Sequence, residues 1–228
     1  MPDLMIKAEN VQKEYTRSGA IIRALIDINL EIYAGEMVSI QGPTACGKTT
    51  LLNVLSGLDI PDDGKVYLDG ENISRATETR LSAIRAQKIG FVFQDFNLID
   101  TLTAVENVEA LLWPSKLSQK EIEKRALSAL RDVNLLERKD HVPRQLSGGE
   151  KQRVAVARAI IHQPRVLFAD EPTGNLDPQS GEDLMELLTT LNKDYKTTIV
   201  IITHDEQIAS KYGKKRIHMD KGSIVSIE

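Results

Sequence analysis

The chain has 228 residues, 41% hydrophobic and 27% charged; a chain of that length buries roughly 70% of the surface its unfolded form exposes, so disordered and fibrous classes are excluded. Lys and Arg number 29 against 33 Asp and Glu, a net charge of −4, without the basic footprint that binding to nucleic-acid backbones requires. A single cysteine, Cys46, excludes an internal disulfide and cysteine-rich zinc sites, and fits a reducing compartment.

The longest purely aliphatic run, Ile199 to Ile202, is far short of the ~20 residues a bilayer needs. Met1 to Lys7 lacks a signal peptide's charged start and apolar stretch. The expectation is a single domain, with or without an inserted subdomain, made and kept in the cytoplasm. Any membrane contact would run through another chain.

In chain order, Ile26, Ile28, Leu30 and Ile32 alternate with Asp27, Asn29 and Glu31. This predicts a half-buried strand with those four aliphatics on the core face. Met37 to Ile40 is a short, near-continuous apolar run, followed by Gly42-Pro43-Thr44-Ala45-Cys46-Gly47-Lys48-Thr49. The pattern G-x-x-x-x-G-K-T between a predicted strand and a helix carrying Leu51, Leu52 and Leu55 is a phosphate cradle. Its glycines let backbone N–H groups curl around phosphate oxygens at a helix N-terminus. Lys48 would reach the β- and γ-phosphates and Thr49 would hold Mg²⁺. Val66 to Gly70 reads as a strand running into a turn, part of a small N-terminal antiparallel sheet.

Ile89 to Phe93 is a second apolar run, with Gln94 after it. Ile122, Ala126, Leu130 and Val133 keep helical spacing, opened by Ser118 with Glu121 as a capping box. Ser147 with Glu150 opens another helix. Gly148 and Gly149 cost roughly 1 kcal/mol each in helix propensity, and bare backbone at a helix N-terminus suits an approaching anion. With two anion-binding helix ends, the second would serve a neighbour's nucleotide. Val166 to Ala169 precedes Asp170 and Glu171. The aspartate suits Mg²⁺ held through its water shell, and the glutamate suits orienting or deprotonating a water. Leu184, Leu187, Leu188 and Leu191 mark a further helix, and Ile199 to Ile202 runs into Thr203 and His204. His141, His162 and His218 follow no such strand end and read as structural.

Near-continuous apolar strands alternating with helices predict an α/β fold with a mainly parallel sheet. Ligands bind such sheets off the carboxyl ends of the strands. A phosphate cradle, a Gln, an Asp-Glu pair and a His at one edge suit positioning water against a γ-phosphate, without a covalent nucleophile.

On these motifs the chain resembles the ATP-binding subunit of ABC transporters over essentially its whole length. L-S-G-G-E-K-Q-R at 146–153 resembles the family signature, and V-L-F-A-D-E-P-T at 166–173 the Walker B strand with catalytic Glu171. Asn175-Leu176-Asp177 resembles the D-loop, Gln94 the Q-loop residue, also toward the metal, and His204 the switch histidine. Tyr15 sits where the family places an aromatic under the adenine. The resemblance implies a P-loop NTPase fold with an N-terminal antiparallel β subdomain and a helical subdomain inserted at about 95–145. ATP and Mg²⁺ are the implied cofactors. ATP would be contacted by Tyr15, the loop Gly42 to Thr50, Asp177 and Ser147-Gly148-Gly149; Thr49, Gln94 and Asp170 would hold the metal. It further implies a head-to-tail pair of copies, each phosphate loop facing the partner's signature, and a membrane permease that holds the pair at the cytoplasmic side.

F-V-F-Q-D-F-N-L at 91–98, L-T-A-V-E-N-V at 102–108 and P-T-G-N-L-D at 172–177 are similar to the macrolide-exporter and lipoprotein-release subfamily. That subfamily also has a cell-division member, so an ATP-switched regulator of a membrane partner is the alternative to a transport ATPase. Asp95 to Ile99 is the segment expected to touch the permease. Two loop residues depart from the family pattern. Ala45 replaces a usual glycine and would cost about 1 kcal/mol if its φ is positive. Cys46 reads as a small residue fitting where serine would, with thiolate reactivity as the alternative.

Overall fold

The computed structural model describes residues 3–17 and 19–228. Its elements in chain order are β1 (Leu4–Arg17), β2 (Ala20–Tyr33), β3 (Met37–Gln41), α1 (Lys48–Leu55), β4 (Asp63–Leu68), β5 (Glu71–Asn72), α2 (Glu78–Lys88), β6 (Ile89–Phe93), α3 (Ala104–Glu109), α4 (Gln119–Asp132), α5 (Gly148–Ile160), β7 (Val166–Asp170), α6 (Pro178–Tyr195), β8 (Thr198–Ile202), α7 (Glu206–Tyr212), β9 (Lys215–Asp220) and β10 (Ser223–Ile227). They divide into two units, 1–85 with 198–228, and 86–197.

In the first unit an antiparallel sheet has the order β2-β1-β4-β5. Ile28, Leu30 and Ile32 of β2 are buried between exposed polar neighbours, as the alternation predicts. Ile26 corrects the pattern: it is 39% exposed, and Leu25 is buried instead. Asp27 has φ 50°, and the pairing with β1 slips between Val11–Ile28 and Lys13–Leu25. A bulge adds a residue on one strand and exchanges the faces beyond it.

The same unit pairs β3 in parallel with β8 and with β9, and β10 runs antiparallel to β9. Every residue of β3 and β8 is buried, as a sheet covered on both faces requires. Helix α1 buries Leu51, Leu52, Val54 and Leu55. Strand β4 ends in a turn through Asp69 and Gly70, at φ 51° and 76°.

In the second unit β6 and β7 are parallel, and Phe91 stacks on Phe93 and Phe168. Between β6 and α5 the chain is mainly helical, with α3, α4 and three short 3-10 turns. Ser118 caps α4 by accepting from the Glu121 N–H. The expected box is only half made, because the Glu121 carboxylate accepts from Arg125 one turn on. Helix α6 buries the four predicted leucines.

Candidate nucleotide-binding and catalytic site

Strand β3 leads straight into the Gly-rich loop. Ile40 pairs with Ile202, and the Thr203 N–H donates to the Ile40 carbonyl at 3.3 Å. Gly42 and His204 therefore lie just beyond the carboxyl ends of neighbouring parallel strands, and His204 is exposed. Two glycines of the loop are required by close backbone approach. A Cβ on Gly42 would sit 2.2 Å from the Met219 carbonyl oxygen, and one on Gly47 would sit 2.4 Å from that of Ala24. Their φ values are 150° and 105°. The Lys48 Nζ donates to the Gly42 and Pro43 carbonyls at 2.8 and 3.0 Å, so its ammonium lies over the curl of the loop. Pro43, Thr44, Ala45 and Thr49 are exposed.

Ala45 has φ 63°, so the condition under which alanine there costs about 1 kcal/mol is met. Cys46 is 4% exposed, and its Sγ lies 2.7 Å from where a Gly42 Cβ would stand. The thiol is buried under the loop, with its Sγ 4.0 Å from the Lys48 Nζ. Tyr15 is 39% exposed and donates its hydroxyl to Asp59 Oδ2 at 2.7 Å. Burial, then the bond to Asp59, pushes the phenol up to about 12.

In the second unit Phe93 pairs with Asp170. Gln94 and Glu171 are thus the first residues past adjoining strand ends. Glu171 has φ 49°, a conformation that stores roughly 1–3 kcal/mol in a non-glycine residue and clusters at functional sites. The Gly174 N–H donates to its carbonyl at 3.0 Å, closing a turn. Asn175 fastens this turn to Gln94. It accepts from Gln94 Nε2 at 3.3 Å and donates to the Gln94 carbonyl at 3.0 Å and to Asp95 Oδ1 at 3.0 Å. Gln152, fully buried, donates to the Phe93 carbonyl at 3.2 Å and the Pro172 carbonyl at 2.6 Å. Arg158 donates to the carbonyls of Phe96 and Asn97, both left-handed at φ 58° and 51°. In the sequence Asn175 stands out only as part of the D-loop match and Gln152 only as part of the signature match, while Arg158 and Asp59 carry no assignment. Polar residues that brace backbone have no periodic signature.

Helix α5 opens with the complete predicted box: Ser147 accepts from the Glu150 N–H at 3.2 Å, and its own N–H donates to Glu150 Oε2 at 2.8 Å. The bond from the Ser147 N–H, with Arg138 adding to it, holds the Glu150 carboxyl below its usual range. A Cβ on Gly148 would meet only Leu176 and Asn175 at 3.6 and 3.7 Å, ordinary contact. The fold has room for a side chain there, so the chain's own packing does not require that glycine. Asp177 caps α6 by accepting from the Ser180 N–H at 3.0 Å. Its bonds with Ser180 hold the carboxyl low.

A Gly-rich loop joining a buried parallel strand to a helix that opens with Lys48 and Thr49 defines a P-loop nucleotide-binding protein. The ABC transporter family model matches residues 25–174. The ABC transporter ATP-binding protein MJ0796 of Methanocaldococcus jannaschii is 46% identical over 224 residues, covering 96% of this chain and 95% of that protein. The lipoprotein-releasing system ATP-binding protein LolD of Bacteroides fragilis is 48% identical over 210 residues, covering 92% and 97%. A dimeric post-hydrolysis structure of the MJ0796 cassette with ADP and Pi superposes with a TM-score of 0.89 at 44% identity, covering 98% of both chains. The chain belongs to the ABC transporter family and is one of its ATP-binding, ATP-hydrolysing cassettes. Among the described residues no helix is long and apolar enough to cross a membrane.

Proposed function

We propose that two copies of this chain close head to tail around two ATP molecules and drive a separate membrane permease in export or lipoprotein release. The observation that carries this is Gly148. Its bare backbone opens α5 where the fold itself leaves room for a Cβ, which fits a helix N-terminus kept open for another molecule's phosphate. Glycine there weakens the helix by roughly 1 kcal/mol, a cost that packing does not explain. The dimeric MJ0796 cassette supports the pairing, and such a pair is isologous.

In this reading the loop N–H groups and Lys48 hold the β- and γ-phosphates, and Tyr15 lies under the adenine. Glu171 orients or deprotonates the water whose oxygen attacks the γ-phosphorus. The bond to the bridging oxygen breaks, ADP leaves with that oxygen, and the water's proton passes toward Glu171. Gln94 and His204 position the water and the γ-phosphate, with Asp177 beside the shared site. Thr49, Gln94 and Asp170 would hold Mg²⁺, which neutralises phosphate charge when bound. Among the described residues no three His, Cys, Asp or Glu side chains group as a metal site. A hydroxyl, an amide and one carboxylate suit Mg²⁺, which leans on phosphate oxygens and water.

The whole chain acts as one cassette, with the helical stretch at about 95–145 as its insertion. Asp95 to Ile99 and an apolar cavity of about 410 Å³, lined by Phe91, Phe93, Ala110 and Leu111, are the proposed permease-docking surface. Ile99, Leu111 and Trp113 are 46%, 42% and 49% exposed. Docking there holds the pair peripherally at the cytoplasmic side of the membrane. Glu171→Gln tests the chemistry. It is expected to bind Mg-ATP, hydrolyse it slowly and accumulate as a dimer on size exclusion; hydrolysis at the normal rate would remove Glu171 from its role.

A further inference from the structure

Tyr15 is tethered at both its hydroxyl and its ring. Its hydroxyl donates to Asp59 Oδ2 at 2.7 Å. The other oxygen of that carboxylate accepts from Lys13 Nζ at 2.8 Å. Lys13 Nζ also donates to the Ile60 carbonyl at 2.7 Å and lies 5.3 Å from the centroid of the Tyr15 ring, within cation–π range. Asp59 is therefore shared between the phenol and the ammonium beneath it. Burial works against its charge, but the bonds from Lys13 and Tyr15 prevail and hold the carboxyl low.

The position of Asp59 in the chain gives the tether its meaning. Helix α1 begins at Lys48 in the phosphate loop and ends at Leu55. The chain then turns back, and the N–H groups of Leu58 and Asp59 both donate to the Asn53 carbonyl, at 2.8 and 3.1 Å. Asp59 is thus fixed to the last turn of the helix whose first turn carries Lys48 and Thr49. Tyr15 comes from β1, 44 residues from Asp59 in sequence, yet its hydroxyl is fastened to the segment that folds back on the last turn of α1.

We propose that Asp59, with Lys13, is a positioning residue that sets the Tyr15 ring at a fixed place relative to the phosphate loop, so that the distance from base to triphosphate is built in before nucleotide arrives. This rests on the reading of Tyr15 as the adenine platform. A ring ordered in advance spares the entropy of immobilising it on binding, which is worth roughly three- to tenfold in affinity. The benefit belongs to the base alone, because the phosphates are held by the loop and Lys48.

The test measures dissociation constants for ATP and for inorganic tripolyphosphate, in Mg²⁺ buffer, with the full-length protein. Tyr15→Phe keeps the ring and its contact with Lys13 but removes the hydroxyl tether to Asp59; Asp59→Ala removes the anchor of that tether, and Asp59→Asn keeps an acceptor if the alanine variant folds poorly. Each of Tyr15→Phe and Asp59→Ala is expected to weaken ATP roughly three- to tenfold and to leave tripolyphosphate within about twofold. The double variant is expected to be no worse than either single one, since both cut the same tether. Asp59→Asn is expected to fall between wild type and Asp59→Ala. Additive losses, or equal losses for ATP and tripolyphosphate, would overturn the inference. Tyr15→Ala separates the two readings. If it binds ATP like wild type, the platform itself is refuted. If it is weak while Tyr15→Phe and Asp59→Ala bind normally, the platform stands and the positioning role is overturned.

Discussion

Ala45→Gly isolates the strain that this sequence places in its phosphate loop. Ala45 has φ 63°, where an L-residue with a Cβ pays roughly 1–2 kcal/mol. Its methyl is exposed, so removing it forfeits almost no burial. Glycine gives back roughly 0.4–1 kcal/mol through the greater freedom of its unfolded chain. The balance favours Ala45→Gly by about 0.5–1 kcal/mol, or roughly 1–4 °C in Tm for a chain of this size. Urea unfolding of nucleotide-free protein is the assay, because bound ATP would mask the difference by mass action. The neighbouring substitution Gly47→Ala supplies the contrast. Its Cβ would lie 2.4 Å from the Ala24 carbonyl oxygen at φ 105°, and that variant is expected to lose stability. An Ala45→Gly variant no more stable than wild type would refute the reasoning, since a relaxed alanine has no strain to release.

Gly148→Ala is expected to unfold at the same or a higher urea concentration than wild type, because alanine is the better helix former and its Cβ makes only ordinary contacts. The same variant is expected to lose ATPase activity; unchanged activity would return that glycine to a merely local role. His162 predicts a pH effect. Burial pushes its imidazole below the usual range, with Nε2 at 3.0 Å from the Ile89 carbonyl oxygen. As pH falls through about 6.5 the unfolded state takes up the proton first, so stability present above that value is lost below it. His162→Asn is expected to flatten the fall in Tm between about pH 7 and 5.5. Asp59, Glu106, Glu150 and Asp177, all held low, lose their contribution only at the more acid end, below about pH 4.

The buried parallel strands were legible because an apolar run covered on both faces has no polar alternation to confuse it; the residues after them gained roles only together and through the family resemblance. Helix α6 and the start of α5 were legible for similar reasons, through leucine spacing and a capping box. The face of β2 was read wrongly at Ile26 because a bulge at Asp27 is set by φ and by the partner strand, neither of which periodicity records. Strands β1, β5, β9 and β10 and helices α2, α3 and α7 were not anticipated. Helix α7 is short, and β9 interleaves Lys215, Arg216 and His218 with Ile217 and Met219, so their patterns are weak. Of the proposed site residues, the loop, Gln94, Glu171 and His204 were named from sequence. The braces that hold them in place were not. Asn175 on Gln94, Gln152 across Phe93 and Pro172, and Asp59 on Tyr15 join residues 20 to 81 positions apart, and only the folded backbone brings such pairs together.

The proposal that each ATP is shared between two copies is tested most directly by complementation. Ser147→Arg blocks the signature and leaves its own phosphate loop intact; Lys48→Ala disables the loop and leaves its own signature intact. Each variant alone is expected to be inactive. Mixed, they form a hybrid dimer in which the intact loop of one faces the intact signature of the other, and partial ATPase activity is expected to return. No recovery at any mixing ratio, with hybrid dimers shown to form, would contradict a site built from both copies.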